Sequence, residues 1–253
     1  TASYPYDYLV LAIGSSPNYY GIKGLKEHAF PLWSWEDAVR IRDHIESCFV
    51  RASQEEDEAV RRSLLTFVVI GAGFTGVEMI GELVHWSKKL CKEHGVDRRE
   101  VRLVNADMAD MVLPTLGGKN SAKAHRYMEK KGIEVILGAC VQSMDAEAVH
   151  FGDSSLSTRT VIWAAGIRSA SEVDETGLPT IGGPRRIKVD AFCRTQEPDV
   201  YAIGDVGGLA DENGRPYAAM VENALQTAQG CVKNILADIR GKEPEPVKVK
   251  FHG

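Results

Sequence analysis

The sequence has few cysteines, and they lie far apart. The five cysteines, Cys48, Cys91, Cys140, Cys193 and Cys231, form no C-x-x-C pair. Their spacing excludes a disulfide framework and a cysteine-based zinc site, and it is typical of a protein in a reducing cytosol. The seven histidines show no metal-ligand spacing either. The sequence therefore predicts a cytoplasmic protein with no metal site.

The sequence also lacks a long apolar run and an excess of basic residues. Its longest apolar stretch, 64–74, is interrupted by Thr66 and two glycines, whereas a membrane span needs about 18 apolar residues. With 30 Lys and Arg against 35 Asp and Glu, the net charge is −5. No basic stripe is available to neutralise nucleic-acid phosphates, so nucleic acid is not an expected partner. The hydrophobic content of 44% is ordinary for a globular chain of one or two domains.

Hydrophobic patterning predicts alternating strands and helices in the middle of the chain. Buried strands are predicted at 65–70, 101–105 and 132–136, and helices at 77–94 and 121–131. This order is typical of parallel βαβ units with right-handed crossovers. Outside this region the pattern predicts strands at 8–13, 161–164, 187–189 and 200–203, a hairpin within 141–151, and helices at 34–51, 54–62 and 217–239.

Both ends of the sequence resemble parts of strands. The chain begins at Thr1 without an initiator methionine, enters an apolar strand at Tyr8, and ends in the alternating segment 247–253. Such alternation is typical of an edge or antiparallel strand. We therefore expect the chain to be an excised piece of a longer protein.

A glycine motif follows the strand at 65–70 and precedes a predicted helix. It reads Gly71-Ala-Gly-Phe-Thr-Gly76, the G-x-G-x-x-G pattern of dinucleotide-binding folds. Gly71 would permit the tight turn, Gly73 would let the backbone approach a diphosphate, and Gly76 would let helix and strand pack closely. The positive end of the helix dipole would then bind the diphosphate. The alternative is a tight turn without a ligand.

The next strand ends in a neutral side chain where such folds usually place an acid. The usual acid accepts hydrogen bonds from the adenosine ribose, and here the predicted strand ends in Asn105. Asparagine can bind a ribose hydroxyl but does not repel a 2′-phosphate. Asp107 and Asp110 follow it and would repel that phosphate. The sequence therefore favours NADH over NADPH.

Two further carboxylates are candidates for chemistry. Glu78 lies two residues past Gly76, on the first turn of the predicted helix, where it either complements the helix dipole or faces a nicotinamide or flavin edge. A later strand ends in Gly204-Asp205, which places a carboxylate where open α/β sheets bind their ligands. Asp205 could accept hydrogen bonds from a polyol such as the ribityl chain of a flavin; the alternative is a capped strand-end turn.

Four segments occur in the order found in flavoprotein oxidoreductases with two dinucleotide-binding domains. A charged insert at 86–100 and Arg215-Pro-Tyr217 before a long helix add to the likeness. The chain most resembles the type II NADH dehydrogenases, single-subunit NADH:quinone oxidoreductases of the pyridine nucleotide-disulfide oxidoreductase superfamily. The resemblance covers essentially the whole chain, and its four segments are 6–14 (YDYLVLAIG), 71–78 (GAGFTGVE), 161–166 (VIWAAG) and 201–205 (YAIGD).

The resemblance implies an α/β fold with a Rossmann-like, parallel-sheet NAD(P)-binding domain inserted into an incomplete FAD-binding α/β domain. Residues 63–166 would form the NADH domain. Residues 1–62 would be part of the FAD domain and a connecting helix. Residues 167–253 would be the second part of the FAD domain and the start of a C-terminal region. The first FAD-binding βαβ would precede the chain, and membrane-contacting amphipathic helices would follow it.

The resemblance also assigns residues to the two cofactors. Glu78 would lie between nicotinamide and flavin. Matching positions imply FAD contacts at Gly14, Gly204 and Asp205, and NADH contacts at Gly71, Gly73, Phe74, Thr75, Gly76, Asn105, Ala165 and Gly166.

The long C-terminal helix departs from the family pattern. The family usually carries Pro-Pro-Thr-Ala-Gln-x-Ala-x-Gln, whereas this chain reads AAMVENALQ over 218–226. Gln226 matches, Glu222 replaces the first glutamine, and both prolines are absent. The resemblance makes Glu222 and Gln226 catalytic candidates; a solvated helix face is the alternative. Because a carboxylate would change the charge beside the flavin, acceptors other than quinone stay open.

The resemblance implies an FAD-dependent NADH dehydrogenase that passes electrons to a quinone-type acceptor. The alternatives are a flavoprotein reductase with ferredoxin, sulfide or a disulfide as acceptor, and a non-catalytic nucleotide-binding module. Since half of the FAD site would be absent, we expect the chain alone to be inactive, to bind NADH and not to retain FAD. Homodimerisation and peripheral attachment to the inner face of the cell membrane stay open.

Overall fold

A computed structural model describes residues 3–251 of the chain. The chain divides into two compact units. One unit, called the flanking unit, comprises residues 1–18 and 167–253, and the other, called the inserted unit, comprises residues 19–166. The inserted unit therefore interrupts the flanking unit in sequence.

The described residues form fourteen short strands. They are β1 (Leu9–Leu11), β2 (Ser15–Pro17), β3 (Phe30–Pro31), β4 (Thr66–Ile70), β5 (Arg102–Ala106), β6 (Ile133–Ile136), β7 (Ser143–Met144), β8 (Ala148–Phe151), β9 (Ser154–Ser157), β10 (Thr160–Trp163), β11 (Ile167–Ser169), β12 (Thr180–Ile181), β13 (Arg186–Ile187) and β14 (Val200–Ala202).

The same residues form six α-helices and three 3-10 turns. The helices are α1 (Leu25–His28), α2 (Trp35–Ala52), α3 (Glu58–Leu64), α4 (Phe74–His94), α5 (Gly118–Lys130) and α6 (Val221–Ile239). The 3-10 turns are Arg98–Glu100, Pro114–Leu116 and Ser171–Glu175.

A five-stranded parallel sheet forms the centre of the inserted unit. Its strand order is β3-β10-β4-β5-β6, and every neighbouring pair runs parallel. All residues of β4 and β10 are buried. Helices α2, α4 and α5 cover one face of the sheet, and the β7–β9 segment together with α1 covers the other. The predicted parallel βαβ arrangement is therefore confirmed. The predicted hairpin within 141–151 is extended by β9 into a three-stranded antiparallel sheet, β7-β8-β9.

Helix α2 packs inside the inserted unit. It begins with a capping box, in which Ser34 Oγ accepts the Asp37 N–H and Asp37 Oδ2 accepts the Ser34 N–H. Its apolar face belongs to the main core cluster, where the Phe49 and Phe67 rings stack with centroids 5.6 Å apart. Residues 1–62 were predicted to be part of the FAD domain and a connecting helix. The structure instead divides the chain at 18/19, because α2 buries its apolar face against β4 and α4.

Several predicted boundaries move. Helix α4 begins at Phe74 and not at Val77, because Gly73 is the extended N-cap residue and the last three motif positions are already helical. Strand β5 continues past Asn105 to Ala106.

The predicted strand at 247–253 is wrong for the described part: Val247–Phe251 forms no strand. The backbone there bonds to a side chain and not to a neighbouring strand: the Gln226 side-chain amide hydrogen-bonds both the N–H and the carbonyl of Lys250. His252 and Gly253 lie outside the described residues.

The flanking unit contains short sheets and one long helix. Strands β1 and β14 pair in parallel, with Leu11 opposite Ala202, so their carboxyl ends lie side by side. Strands β2 and β11 pair antiparallel, as do β12 and β13. Helix α6 buries Asn223, Thr227, Cys231 and Asn234 along one face. Among residues 3–251, no helix combines the length and apolar character needed to cross a bilayer.

Truncating Phe49 tests the packing of α2 in the inserted unit. Phe49 is fully buried, so we expect Phe49→Ala to lower the free energy of unfolding by about 3–5 kcal/mol. Val50, its neighbour on the exposed side of α2, serves as the control, and Val50→Ala should cost less than about 0.5 kcal/mol. Urea unfolding of the 253-residue chain measures both. Equal effects of the two variants would contradict the packing of α2 on the sheet.

Candidate nucleotide-binding sites

The glycine motif of the inserted unit forms a tight turn between β4 and α4. Gly71 has φ +116°, and a Cβ there would lie 2.5 Å from the Ala164 carbonyl oxygen. A Cβ on Gly76 would overlap the Gly71 carbonyl oxygen, whereas a Cβ on Gly73 would meet nothing within 4 Å. Gly71 and Gly76 are therefore required by the fold itself. Gly73 is exposed and leaves open space over the turn.

Helix α4 directs its first N–H groups at this open space. Gly73 is the N-cap residue and has no side chain to cap the helix. The first bond of the helix runs from the Val77 N–H to the Gly73 carbonyl at 3.0 Å. The N–H groups of the first turn have no acceptor within a helix, and the dipole adds positive potential there. The arrangement is suited to a diphosphate, because exposed donors and a glycine with no neighbour occur together.

Asp107 and Leu113 hold the turn from its other side. The Asp107 carboxylate accepts the Ala72 N–H at 2.5 Å and the Ala109 N–H at 2.8 Å. The Leu113 N–H donates to the Ala72 carbonyl at 2.8 Å. Both backbone groups of Ala72 are therefore satisfied by the segment after β5, which fixes the turn. From the sequence, Asp107 was expected only to repel a 2′-phosphate. Its place directly after one strand, beside the glycine turn that follows the neighbouring strand, was the signal for its backbone contacts.

Asn105 lies inside the sheet and not at its tip. It is fully buried, and its Nδ2 donates to the carbonyl oxygens of Val69 at 3.1 Å and Gly71 at 2.9 Å. The predicted strand end at Asn105 is wrong because β5 runs one residue further. The Asn105 amide therefore braces the start of the glycine turn. Its Oδ1 has no hydrogen-bond partner among residues 3–251.

The end of β10 lies directly beside the glycine turn. The Ala164 N–H donates to the Ile70 carbonyl at 2.8 Å, and β10 and β4 are neighbours in the sheet. From β4 the chain proceeds through α4 to β5 on one side, while β10 lies on the other side, so strand order reverses here. In open α/β sheets this reversal point is where ligands bind. Ala165 and Gly166, two of the predicted NADH residues, follow β10 at this point.

The remaining predicted NADH residues lie along the start of α4. Phe74 and Thr75 are the first two helical residues, and both are exposed. Glu78 is also exposed. Because α4 begins at Phe74, Glu78 belongs to the second helical turn, and the first turn contains no acidic residue. The predicted placement of Glu78 on the first turn is therefore wrong.

The predicted flavin residues of the flanking unit come together at the ends of β1 and β14. Gly14 follows β1 with φ +71°, and Gly204 follows β14 with φ +63°. The Ser15 hydroxyl donates to Asp205 Oδ2 at 2.7 Å, which joins the two strand ends. Asp205 is half-buried. Ser15 was missed in the sequence because its partner lies 190 residues away.

Two side chains of helix α6 hydrogen-bond the backbone of Gly204. The Gly204 N–H donates to Thr227 Oγ1 at 3.0 Å, and Asn223 Nδ2 donates to the Gly204 carbonyl at 3.3 Å. Asn223 is almost fully buried, and its Oδ1 has no hydrogen-bond partner among the residues described. Asn223 and Thr227 were not predicted as functional residues. The signal in the sequence is that both are polar and lie one turn apart on a helix face that is otherwise buried.

A buried arginine adds positive charge near Asp205. Arg186 is 8% exposed, and its guanidinium donates to the Tyr217 carbonyl at 2.6 Å. Burial lowers the pKa of Arg186 from its ordinary value, and the Asp205 carboxylate acts in the opposite direction. The group stays a cation at neutral pH, since arginine titrates far above it. The described end of the flanking unit therefore combines one carboxylate with one buried cation.

The two catalytic candidates on α6 have different surroundings. Glu222 lies in the first turn of α6 and is half-buried. The Gln226 amide accepts the Lys250 N–H at 2.9 Å and donates to the Lys250 carbonyl at 2.8 Å. Both ends of the Gln226 amide are therefore used to hold the segment 247–251 against α6.

A charged groove elsewhere in the inserted unit plays no part in this site. It is lined by Arg61, Arg99, Glu100, Arg102 and Glu134 among others. Arg61 pairs with Glu100 at 2.7 Å and Arg102 with Glu134 at 2.8 Å. Arg102 begins β5, so the groove lies at the amino ends of the strands, opposite the glycine turn. Among residues 3–251, no three His, Cys, Asp or Glu side chains are grouped to hold a metal ion.

Curated type II NADH:quinone oxidoreductases are similar in sequence to this chain. The chain is 31% identical over 256 residues to the type II NADH:quinone oxidoreductase of Mycobacterium tuberculosis, covering 95% of this chain and 53% of that protein. It is 32% identical over 247 residues to the type II NADH:quinone oxidoreductase of Staphylococcus haemolyticus, covering 94% of this chain and 60% of that one. The chain thus spans between half and two thirds of the length of these curated relatives.

Solved structures share the fold. NDH2 from Plasmodium falciparum in complex with NADH matches with a TM-score of 0.84 at 17% identity, covering 97% of this chain and 66% of that chain. An NAD-dependent persulfide reductase from A. fulgidus matches with a TM-score of 0.72 at 26% identity, covering 96% and 41% of the two chains. The pyridine nucleotide-disulphide oxidoreductase family matches residues 1–233. The chain, with its parallel sheet and glycine turn, belongs to the pyridine nucleotide-disulphide oxidoreductase family.

Proposed function

We propose that this chain is the nucleotide-binding part of an FAD-dependent oxidoreductase that takes hydride from NADH. The observation that carries the proposal is the glycine turn at the reversal point of the inserted unit, where Gly73 has no neighbour within 4 Å. The curated relatives at 31–32% identity are named NADH:quinone oxidoreductases. A non-catalytic nucleotide-binding module would share the turn, but it would not need the second strand-end site built around Asp205.

The inserted unit fits NADH. The first-turn N–H groups of α4 would bind the diphosphate, with Asp107 fixing the backbone of Ala72 beneath it. Asn105 Oδ1, a buried acceptor with no partner among residues 3–251, is an atom of the type that a ligand hydroxyl satisfies. Asp107 and Asp110 would oppose the 2′-phosphate of NADPH. In this proposal, backbone groups and short side chains bind and orient the dinucleotide.

The flanking unit fits the polyol end of a flavin. The Asp205 carboxylate, held by the Ser15 hydroxyl at 2.7 Å, can accept hydrogen bonds from ribityl hydroxyls, and Gly14 and Gly204 leave room for close approach. FAD, when bound, supplies the hydride-accepting ring and passes electrons onward. The sequence contains one G-x-G-x-x-G turn, at 71–76, and it lies in the inserted unit. The flavin diphosphate therefore needs a loop beyond the residues of this chain.

Quinone is the acceptor that the names of the relatives favour. Disulfide exchange is disfavoured, since Cys48, Cys91, Cys193 and Cys231 are buried and the exposed Cys140 has no second cysteine near it in sequence. Burial raises the pKa of Cys193 to about 12 and that of Cys231 to about 11, and a reactive cysteine needs an accessible thiolate.

Glu222 on α6 remains the proposed residue beside the flavin. Gln226 is a structural residue of the 247–251 segment in this proposal.

Adding a methyl group at Gly73 tests the diphosphate site. The Gly73 backbone has ordinary φ, and a Cβ there contacts nothing, so Gly73→Ala should fold normally. The methyl group would occupy the space over the first-turn N–H groups, and losing one charge-assisted hydrogen bond weakens NADH binding about 10- to 100-fold. Isothermal titration of the 253-residue chain with NADH measures this loss.

Gly81→Ala is the matched control for Gly73→Ala. Gly81 lies further along the same helix, and a Cβ there also contacts nothing within 4 Å. We expect Gly81→Ala to bind NADH as the unaltered chain does and to be slightly more stable, because alanine is the better helix former. If Gly73→Ala binds NADH as tightly as Gly81→Ala, the glycine turn is not a diphosphate site.

The flavin site should be incomplete in this chain. We expect the purified 253-residue chain to show no stoichiometric flavin absorbance and to bind added FAD far more weakly than NADH, because it has one glycine turn for two dinucleotides. Absorbance spectra and parallel titrations with FAD and NADH measure both properties. A stoichiometric yellow preparation would contradict the expectation and would mean that the strand ends around Asp205 suffice for FAD.

A further inference from the structure

Tyr20 has an unusual conformation for an aromatic residue. Its φ is +51°, a left-handed conformation that non-glycine residues adopt infrequently. Its side chain is 60% exposed, and its ring meets Trp163 edge-on, with centroids 6.4 Å apart and an interplanar angle of 67°. Trp163 is the last residue of β10. The inserted unit therefore holds an exposed aromatic ring at the carboxyl end of the sheet at a cost in backbone conformation.

The Tyr20 side chain extends over the turn that follows β10. Its hydroxyl donates to the Ala165 carbonyl at 3.4 Å. A Cβ on Gly166 would overlap the Tyr20 hydroxyl, so glycine at this position leaves the space that Tyr20 uses. Gly166 itself has φ +143°. Tyr20 and Gly166 are thus matched in shape, although they are far apart in sequence.

The orientation of a dinucleotide on this sheet places its nicotinamide half near Tyr20. In Rossmann-type folds the diphosphate lies on the glycine turn, and the adenosine ribose lies at the end of the second strand of the βαβ unit. That strand is β5, on one side of β4. The ligand crosses the point where strand order reverses, so its nicotinamide half lies toward β10, on the other side of β4. Tyr20, Ala165 and Gly166 are at that end.

We propose that Tyr20 is a positioning residue for the nicotinamide half of NADH, with its ring forming one wall against the nicotinamide ring. The inference rests on the proposed function, since it takes NADH as the ligand of the glycine turn. An exposed aromatic ring with an edge contact to Trp163 offers a flat apolar surface at low cost in side-chain entropy. The phenol hydroxyl contributes little to this role, because its own hydrogen bond is long and exposed.

Comparing two ligands tests Tyr20 separately from the glycine turn. NADH contains both halves of the dinucleotide, whereas ADP-ribose lacks the nicotinamide ring. We expect Tyr20→Ala to weaken NADH binding about 3- to 10-fold, the range of one aromatic ring contact. ADP-ribose binding should change less than about 2-fold, because the diphosphate and adenosine contacts remain. Isothermal titration of the 253-residue chain gives all four affinities.

Two further variants exclude a purely structural effect. Tyr127, on α5 of the same unit, is also 60% exposed, and Tyr127→Ala should leave both affinities unchanged. Tyr20→Phe keeps the ring and should bind NADH within about 2-fold of the unaltered chain. Equal losses of NADH and ADP-ribose binding in Tyr20→Ala, or no loss of either, would overturn the role of Tyr20. Failure of the unaltered chain to bind either ligand would overturn the proposed function itself.

Discussion

The close approach of α4 to β4 is the constraint on which the inserted unit depends. A side chain at position 76 would overlap the Gly71 carbonyl, and one at position 71 would meet the Ala164 carbonyl at 2.5 Å. Because both positions are glycine, helix α4 starts directly above the end of the parallel sheet. Its first N–H groups then point into the space left by Gly73. The fold and the diphosphate site are therefore consequences of the same three residues.

This part of the structure could be predicted from the sequence because its causes are local. Apolar runs mark β4 and β10, the glycine spacing marks the turn, and Ser34 with Asp37 marks the start of α2. Each signal lies within a few residues of the element it specifies. The parallel sheet and the position of Gly71–Gly76 follow from these signals with the general rules for βαβ units.

The roles of single side chains could not be predicted in the same way. Side chains alternate between the two faces of a strand, so a strand end displaced by one residue changes what the final side chain contacts. The position of Asn105 at a ribose was expected, but the hydrogen bond from its Nδ2 to the Gly71 carbonyl and the contact of Asp107 with Ala72 were not. Other partners are distant in sequence: Tyr20 bonds Ala165 across 145 positions, and Gln226 bonds Lys250 across 24. Tertiary packing alone reveals such pairs.

The central claim is that NADH binds on the glycine turn of the inserted unit. Hydrogen–deuterium exchange of the 253-residue chain, with and without saturating NADH, tests this claim most directly because it reports on the backbone amides involved. The account predicts slower exchange for residues 73–77 and 164–167, with residues 200–208 unchanged. Protection confined to 200–208, or NADH binding that leaves 73–77 unprotected, would contradict it.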